Sequence, residues 1–394
     1  MANHGTSINA LGGITPFMVQ ITDFMADTLL NRGASALASI PQAIAHDSSV
    51  TDLTILDNDY TFEKPDAEYQ LDHSPNVDEF LNAANTEYNA FDIPEGLTPF
   101  EVDGKALELV DLATGLSARA FTTDDQQLII SYSGTTGGDN LFLNPLQVVG
   151  QLAADVEIMG GQVSQAQTDA VKFAQYVVNE ANQQGIATDD IFVTGHSLGA
   201  TEAEYVSQQT GLGGIAFEGA GIPVDEDAVG DGSNFASVGS YGDVWYSFAS
   251  DVEGDQPVSP EYVEGGGELP HFGNQILLGD PQSQEDLSER LNQPFHDNWV
   301  GVLLDLVEGP HLPQTQADQL GVDIHDSFLF DLFGAEGDGQ PFEASELGLG
   351  ELLAANDERL DYHGTSIPDD LQQSQPVEVT GTSTAEHMPI EQLA

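Results

Sequence analysis

Ser197 stands at the centre of the pentapeptide Gly195-His196-Ser197-Leu198-Gly199. The apolar, β-prone run Ile191-Phe192-Val193-Thr194 enters it, and the helix-compatible stretch Thr201-Glu202-Ala203-Glu204-Tyr205-Val206 leaves it. Strand, sharp turn and helix in that order form a nucleophile elbow, which holds a serine in a strained conformation with its hydroxyl exposed. Glycines at 195 and 199 suit such a turn because little room remains for a Cβ. An ordinary glycine-rich turn is the bland alternative. The strand before and the small-residue helix after favour a nucleophile at Ser197.

A serine hydroxyl attacks poorly until a base takes its proton, and the base needs an orienting carboxylate. Behind an elbow of this kind the chain order is serine, acid, histidine. Ser237-Val238-Gly239-Ser240-Tyr241-Gly242-Asp243 supplies an apolar strand, a small turn and then an acid, so Asp243 is the expected orienter. Glu218 is the runner-up and Asp251 the third choice. Downstream histidines are His271, His296, His311, His325, His363 and His387. His296 and His325 each open a His-Asp pair followed by an apolar run, which would place an imidazole at the mouth of a core-packing helix. His296 is therefore the expected base, with His325 as its rival and His311 third. His4, His46 and His73 precede the elbow and break the order. His196 lies inside the elbow and is expected to pack beside it.

The tetrahedral intermediate of acyl transfer needs donors aimed at its oxyanion, worth about 3–4 kcal/mol each. The elbow itself supplies the backbone N–H of Leu198. A second donor belongs on a loop after an earlier strand, and Ser133-Gly134-Thr135-Thr136-Gly137-Gly138 follows the apolar run ending at Ser131. Thr135 offers both a backbone N–H and a hydroxyl. No lysine follows these glycines, which disfavours a phosphate cradle.

The elements that would position these groups alternate. Strands are expected at 118–122, 127–132, 214–219 and 235–239, and a helix at 166–184 precedes the elbow strand. Helices between apolar β runs imply a mostly parallel sheet covered on both faces. Upstream, 14–45 has helical spacing broken at Gly33 and Pro41, and 77–90 reads as another helix. The division expected is a helical N-terminal region over 1–97, a catalytic core over 98–335, and an acidic, polar extension over 336–394. The segment 14–45 reads first as a packed helix and second as an amphipathic cover over the site.

Composition narrows the partners. The 394 residues carry 66 Asp and Glu against 7 Lys and Arg, a net charge of −59. Nucleic acid and anionic membrane surfaces are poor partners because like charges repel, and transient contact with a lipid interface is the membrane interaction left open. The acids are spread among apolar segments, which argues for a folded, salt-adapted surface rather than disorder. Without cysteine there are no disulfides or thiolate metal sites. No apolar window is long enough for a transmembrane helix. The N-terminus lacks the basic region and apolar core of a usual secretory signal. The chain is expected to be cytosolic or to leave by a route that reads no such signal.

The blocks LIISYSGTTGGDN, VKFAQYVVNEANQQGIATDDIFVTGHSLGA and SVGSYGDVW resemble those of bacterial family I.3 lipases, the RTX-type secreted lipases. More loosely they are similar to class 3 lipases of the fungal type. The resemblance covers roughly 120–250. It implies an α/β-hydrolase fold, hydrolysis of acylglycerol esters, lid helices and an extracellular location; the cytoplasm of a salt-accumulating organism is the alternative. It carries Ser197 as nucleophile, Asp243 as acid and Thr135 as oxyanion residue. HFGNQILL at 271–278 resembles a structural strand after the acid in these families, which argues for a base beyond His271. No cofactor is implied for the chemistry. Structural calcium occurs near the lid in that family, but no ligand set is matched residue by residue. The oxyanion loop departs from the families' Arg-Gly-Thr or Arg-Gly-Ser in having Ser133-Gly134-Thr135. The glycine- and aspartate-bearing repeats of RTX lipases are absent.

The leading expectation is a salt-adapted serine ester hydrolase of lipase type acting on lipid or related esters. A phospholipase or thioesterase on the same fold is the second. A non-enzymatic, acidic cation-binding surface protein is the third. Acyl-chain preference and oligomeric state are not encoded in any of these patterns.

Overall fold

A computed structural model of the chain describes residues 52–86, 93–111, 113–134, 158, 161–253, 260–291, 310–324 and 341–364. Helices α1 (Ala67–Asp72) and α2 (Val77–Asn85) come first. Short strands β1 (Leu97–Pro99), β2 (Glu101–Val102), β3 (Lys105–Ala106) and β4 (Glu108–Val110) follow. Then come β5 (Ser117–Thr123), β6 (Leu128–Tyr132), α3 (Gln165–Gln184), β7 (Ile191–His196) and α4 (Leu198–Thr210). Strands β8 (Gly214–Phe217), β9 (Phe235–Ser240) and β10 (Asn274–Leu278) complete the sheet. Helices α5 (Pro281–Leu291), α6 (Pro313–Leu320) and α7 (Leu349–Gly364) end the described chain.

The main sheet runs β1-β5-β6-β7-β8-β9-β10, with β4 also pairing to β5. Strands β6 to β10 are parallel neighbours; β5 is antiparallel to β6, β1 and β4. Separately, β2 and β3 form a two-stranded hairpin. The protein is thus a mixed α/β structure with a mostly parallel central sheet, as the alternation of apolar runs and helices implies. Its central strands are buried along their whole length because helices cover both faces.

Side-chain alternation divides the core in two. Leu128, Ile130, Ile191 and Val193 face α3 and α4. Ile129 and Phe192, one residue out of step, face the opposite cluster with Phe80 of α2 and Leu320 of α6. Phe80 meets Phe192 edge to face at 6.0 Å. Such a pair adds about 0.5–1.5 kcal/mol to the burial of both rings and pins α2 under the strand that carries Ser197. Helix α3 starts at a reciprocal cap, Ser164 with Gln167, and stops at Gly185 in the left-handed conformation.

This second face draws on residues from both sides of the boundaries expected at 97/98 and 335/336. Val77 and Leu81 lie upstream of the first; Ala344, Leu349 and Leu352 lie beyond the second. Buried Gln70 of α1 extends the tie: its amide donates to Ile191 O, and its oxygen accepts from Gly213 N–H and Asn234 Nδ2. Both boundaries therefore run through one core, because a parallel sheet needs cover on this face and these segments provide it. Helix α2 ends at Asn85, within the stretch expected to be helical; the 14–45 segment lies outside the described residues. The chain clusters into two compact units, 1–354 and 355–394, and the described part of the second is the remainder of α7. Among the described residues no helix is long and apolar enough to cross a membrane.

Candidate active site

Ser197 lies between the end of β7 and the start of α4, with φ 61° and ψ −125°. A non-glycine residue pays on the order of 1–3 kcal/mol for such a backbone. The turn is held by Ser197 N–H donating to Phe217 O at 2.9 Å and by Ser197 O accepting from Ala200 N–H at 3.0 Å. Its tightness explains the flanking glycines. A Cβ built on Gly195 would sit 2.3 Å from Gly199 O, and one built on Gly199 would sit 2.1 Å from Tyr132 O. Ser197 occupies the N-cap position of α4, where a serine usually accepts a backbone N–H. Here its side chain makes no capping bond. The strained backbone turns the hydroxyl away from the helix and leaves it for another partner.

That partner is His311. Its Nε2 lies 2.8 Å from Ser197 Oγ, and its Nδ1 lies 2.9 Å from Asp243 Oδ2. A carboxylate accepts only, so Nδ1 carries the proton and Nε2 is the acceptor facing the serine O–H. Asp243 is 1% exposed and sits just past β9, as its position after the apolar strand predicts. Tyr246 N–H donates to its other oxygen at 2.6 Å, and Asp243 N–H donates to Ser240 O. Gly242 N–H is held by Gln284 Oε1 of α5 at 2.9 Å. Ser197 and His311 are each nearly buried, at 8% and 9% exposure.

The imidazole that bridges Ser197 and Asp243 is the one ranked third among the expected bases. His296 and its rival His325 both lie outside the described residues, and the imidazole between Ser197 and Asp243 is that of His311. The reason is local. Pro313 occupies the first turn of α6, and Gly321 closes that helix in the left-handed conformation. His311 therefore sits two residues before a helix start, in the segment Pro310-His311-Leu312-Pro313, where proline restricts the backbone on either side. The His-Asp pairs at 296 and 325 form the more visible pattern, whereas His311 is marked only by the prolines on either side of it. That framing is the signal by which the sequence marks His311.

The other acids have different occupations. Asp251 pairs with His271: Nδ1 to Oδ1 is 2.9 Å, and His271 N–H donates to Oδ2 at 2.9 Å. Tyr246 stacks on the His271 ring, with centroids 3.9 Å apart. Burial alone would lower the His271 pKa, but the bond and charge of Asp251, with help from Glu204, outweigh it and raise the value. Glu218 accepts from Ser240 N–H and from Gln316 Nε2. His196 packs beside His311, with ring centroids 5.1 Å apart. Burial first, and then the His311 charge, hold its pKa well below the ordinary histidine value. A neutral His196 does not compete for the proton that His311 would take.

Leu198 begins α4, so its N–H belongs to the first turn, whose donors lack intrahelical acceptors. Thr135 lies outside the described residues. Ser133, just past β6, lies against the elbow: a Cβ on Gly199 would also lie 2.8 Å from its carbonyl carbon. Ser133 N–H donates to Ser117 O at 2.9 Å. Among the described residues no group of three or more His, Asp or Glu side chains is arranged to hold a metal ion.

No protein-family model matches the chain, and no curated protein matches it. A hydroxyl, an imidazole and a buried carboxylate joined by two short hydrogen bonds can generate an oxygen nucleophile and return its proton to a leaving group.

Proposed function

We propose that the protein is a serine ester hydrolase on an α/β-hydrolase fold. The observation that carries this is the continuous relay Ser197–His311–Asp243, built on a strained strand-to-helix turn. Ser197 Oγ attacks the ester carbonyl as His311 Nε2 takes its proton. Asp243 fixes the tautomer and stabilises the imidazolium that forms. The oxyanion is met by Leu198 N–H and, following the resemblance to family I.3 lipases, by Thr135. His311 then protonates the departing alcohol. A water deprotonated by the same ring releases the acid from the acyl-enzyme.

Lipid or related carboxylic esters are the proposed substrates, on the strength of that resemblance over roughly 120–250. Ser-His-Asp chemistry serves several acyl substrates on one fold, so a phospholipase or thioesterase remains the competing assignment. The net charge of −59 supports action in strong salt, where cations screen the carboxylate surface. Hydrolysis of p-nitrophenyl esters of graded chain length, at low and high salt, tests the proposal. Turnover that is lost in Ser197→Ala and favours longer acyl chains supports a lipase. Activity confined to thioesters or phospholipids moves the protein to the competing class. No hydrolysis of any ester overturns the enzyme reading.

A further inference from the structure

We propose that Glu218 is a positioning residue for the triad, tying the strand end that leads to Asp243 to the helix that follows His311; this rests on the serine-hydrolase reading above. Glu218 directly follows β8, is fully buried, and holds the left-handed φ of 54°, unusual for a residue with a side chain. Its N–H donates to Val238 O of β9 at 2.8 Å. The side chain meets the backbone just at the end of β9 and a side chain of α6.

Its two oxygens reach different parts of the triad scaffold. Oε2 accepts from Ser240 N–H at 3.2 Å, and Ser240 O in turn holds the N–H of Asp243. Oε1 accepts from Gln316 Nε2 at 2.8 Å, and Gln316 lies in α6, five residues past His311. A second strut runs parallel: Ser240 Oγ donates to Gln319 Oε1 of α6 at 3.2 Å. The acid-bearing and base-bearing segments are thus joined independently of the His311–Asp243 bond. An imidazole that must lie within hydrogen-bond reach of two partners gains from that, since displacement of about 1 Å can cost about 10²-fold in rate.

The geometry also separates the two carboxyls by role. Asp243 has His311 Nδ1 on one oxygen and Tyr246 N–H on the other. Glu218 touches no imidazole and, among the described residues, pairs with no cation. Burial first, and the negative charge of Asp243 second, raise its pKa well above the usual carboxylate range. Glu218 thus braces the triad scaffold through Ser240 and Gln316 and leaves the imidazole to Asp243.

The test is ester hydrolysis at high salt by Glu218→Ala, Glu218→Gln and Gln316→Ala beside Asp243→Asn. Glu218→Ala should lower kcat by about 10–100-fold with KM within about twofold. Glu218→Gln keeps an acceptor for Ser240 N–H and, once the Gln316 amide turns to offer its oxygen, a bond to α6, so it should recover most of that loss with the wild-type pH profile. Gln316→Ala should lower kcat in the same manner, and its effect should not add to that of Glu218→Ala. Loss in Glu218→Gln as deep as in Asp243→Asn overturns the proposal, because it makes Glu218 a working anion. Wild-type kcat in both Glu218→Ala and Gln316→Ala overturns it as well. If Glu218→Ala does not fold, Gln316→Ala alone decides on the same criterion. Failure of the underlying reading looks different: wild-type protein without hydrolysis, or Ser197→Ala with it.

Discussion

His311 Nε2 and Ser197 Oγ lie 2.8 Å apart although 114 positions separate them in the chain. Each belongs to the turn that opens a helix, α6 for the histidine and α4 for the serine, and the central sheet brings the two turns together. The relationship makes a first prediction. His311→Ala should lower ester hydrolysis by about 10⁴-fold or more, the usual cost of losing a triad member. His296→Ala and His325→Ala should stay within a few-fold of wild type. Steady-state kinetics of the three purified variants check this. A silent His311→Ala with an inactive His296→Ala would return the role to the histidine that the His-Asp pattern favours.

The contrast between those histidines shows how far the sequence could be read. The elbow was legible because its strand, glycines and helix are contiguous, and Gly199 is demanded by a contact with Tyr132 O that no larger residue could make. Asp243 was legible because it follows an apolar run that becomes β9. The parallel sheet was legible from apolar strands too continuous to be half exposed. His311 was harder: α6 is a short helix with a polar first turn, Pro313-Gln314-Thr315-Gln316, and shows little periodicity. The brace through Glu218, Ser240 and Gln316 joins three distant segments, so no local pattern encodes it.

The close approach at the elbow predicts a stability effect. Gly199→Ala places a methyl group where Tyr132 O already lies, 2.1 Å from the built Cβ. Backbone on both sides must move, and overpacking of this kind costs about 1–3 kcal/mol or more. A thermal scan of the variant should show a clearly lowered melting temperature, together with lost activity from the displaced serine. An unchanged melting temperature would contradict the packing described.

The buried carboxyl of Glu204 predicts a pH dependence. It accepts from Ser237 Oγ and Phe272 N–H, yet burial raises its pKa from 4.5 to about 7, against the lowering influence of His271. Below about pH 4.5 the group is protonated in both folded and unfolded chains and costs nothing. Between about 4.5 and 7 the unfolded chain ionises first, so stability falls with rising pH, by on the order of 3 kcal/mol in total. The raised pKa of His271 works in the same direction, its contribution being lost as pH climbs through the folded value. Denaturant midpoints at pH 5 and pH 8, in strong salt, should converge in Glu204→Gln relative to wild type. Equal slopes in the two proteins would show that Glu204 does not carry the effect.

The charge of −59 predicts a salt dependence of folding itself. Repulsion among carboxylates opposes the compact state at low ionic strength. The Debye length falls from about 30 Å at 0.01 M to about 3 Å at 1 M, which screens it. Melting temperature should rise between those limits in sodium chloride. A flat response would remove the case for a salt-adapted surface.

Covalent labelling tests the central claim most directly. A fluorophosphonate probe reacts with a serine only where a base activates the hydroxyl and an oxyanion site receives the phosphoryl oxygen. Wild-type protein in strong salt should take up one probe, and mass spectrometry should place it on Ser197. Ser197→Ala should take up none, and His311→Ala should label far more slowly. A wild-type protein that stays unlabelled, or one labelled equally well after Ser197→Ala, would contradict the account.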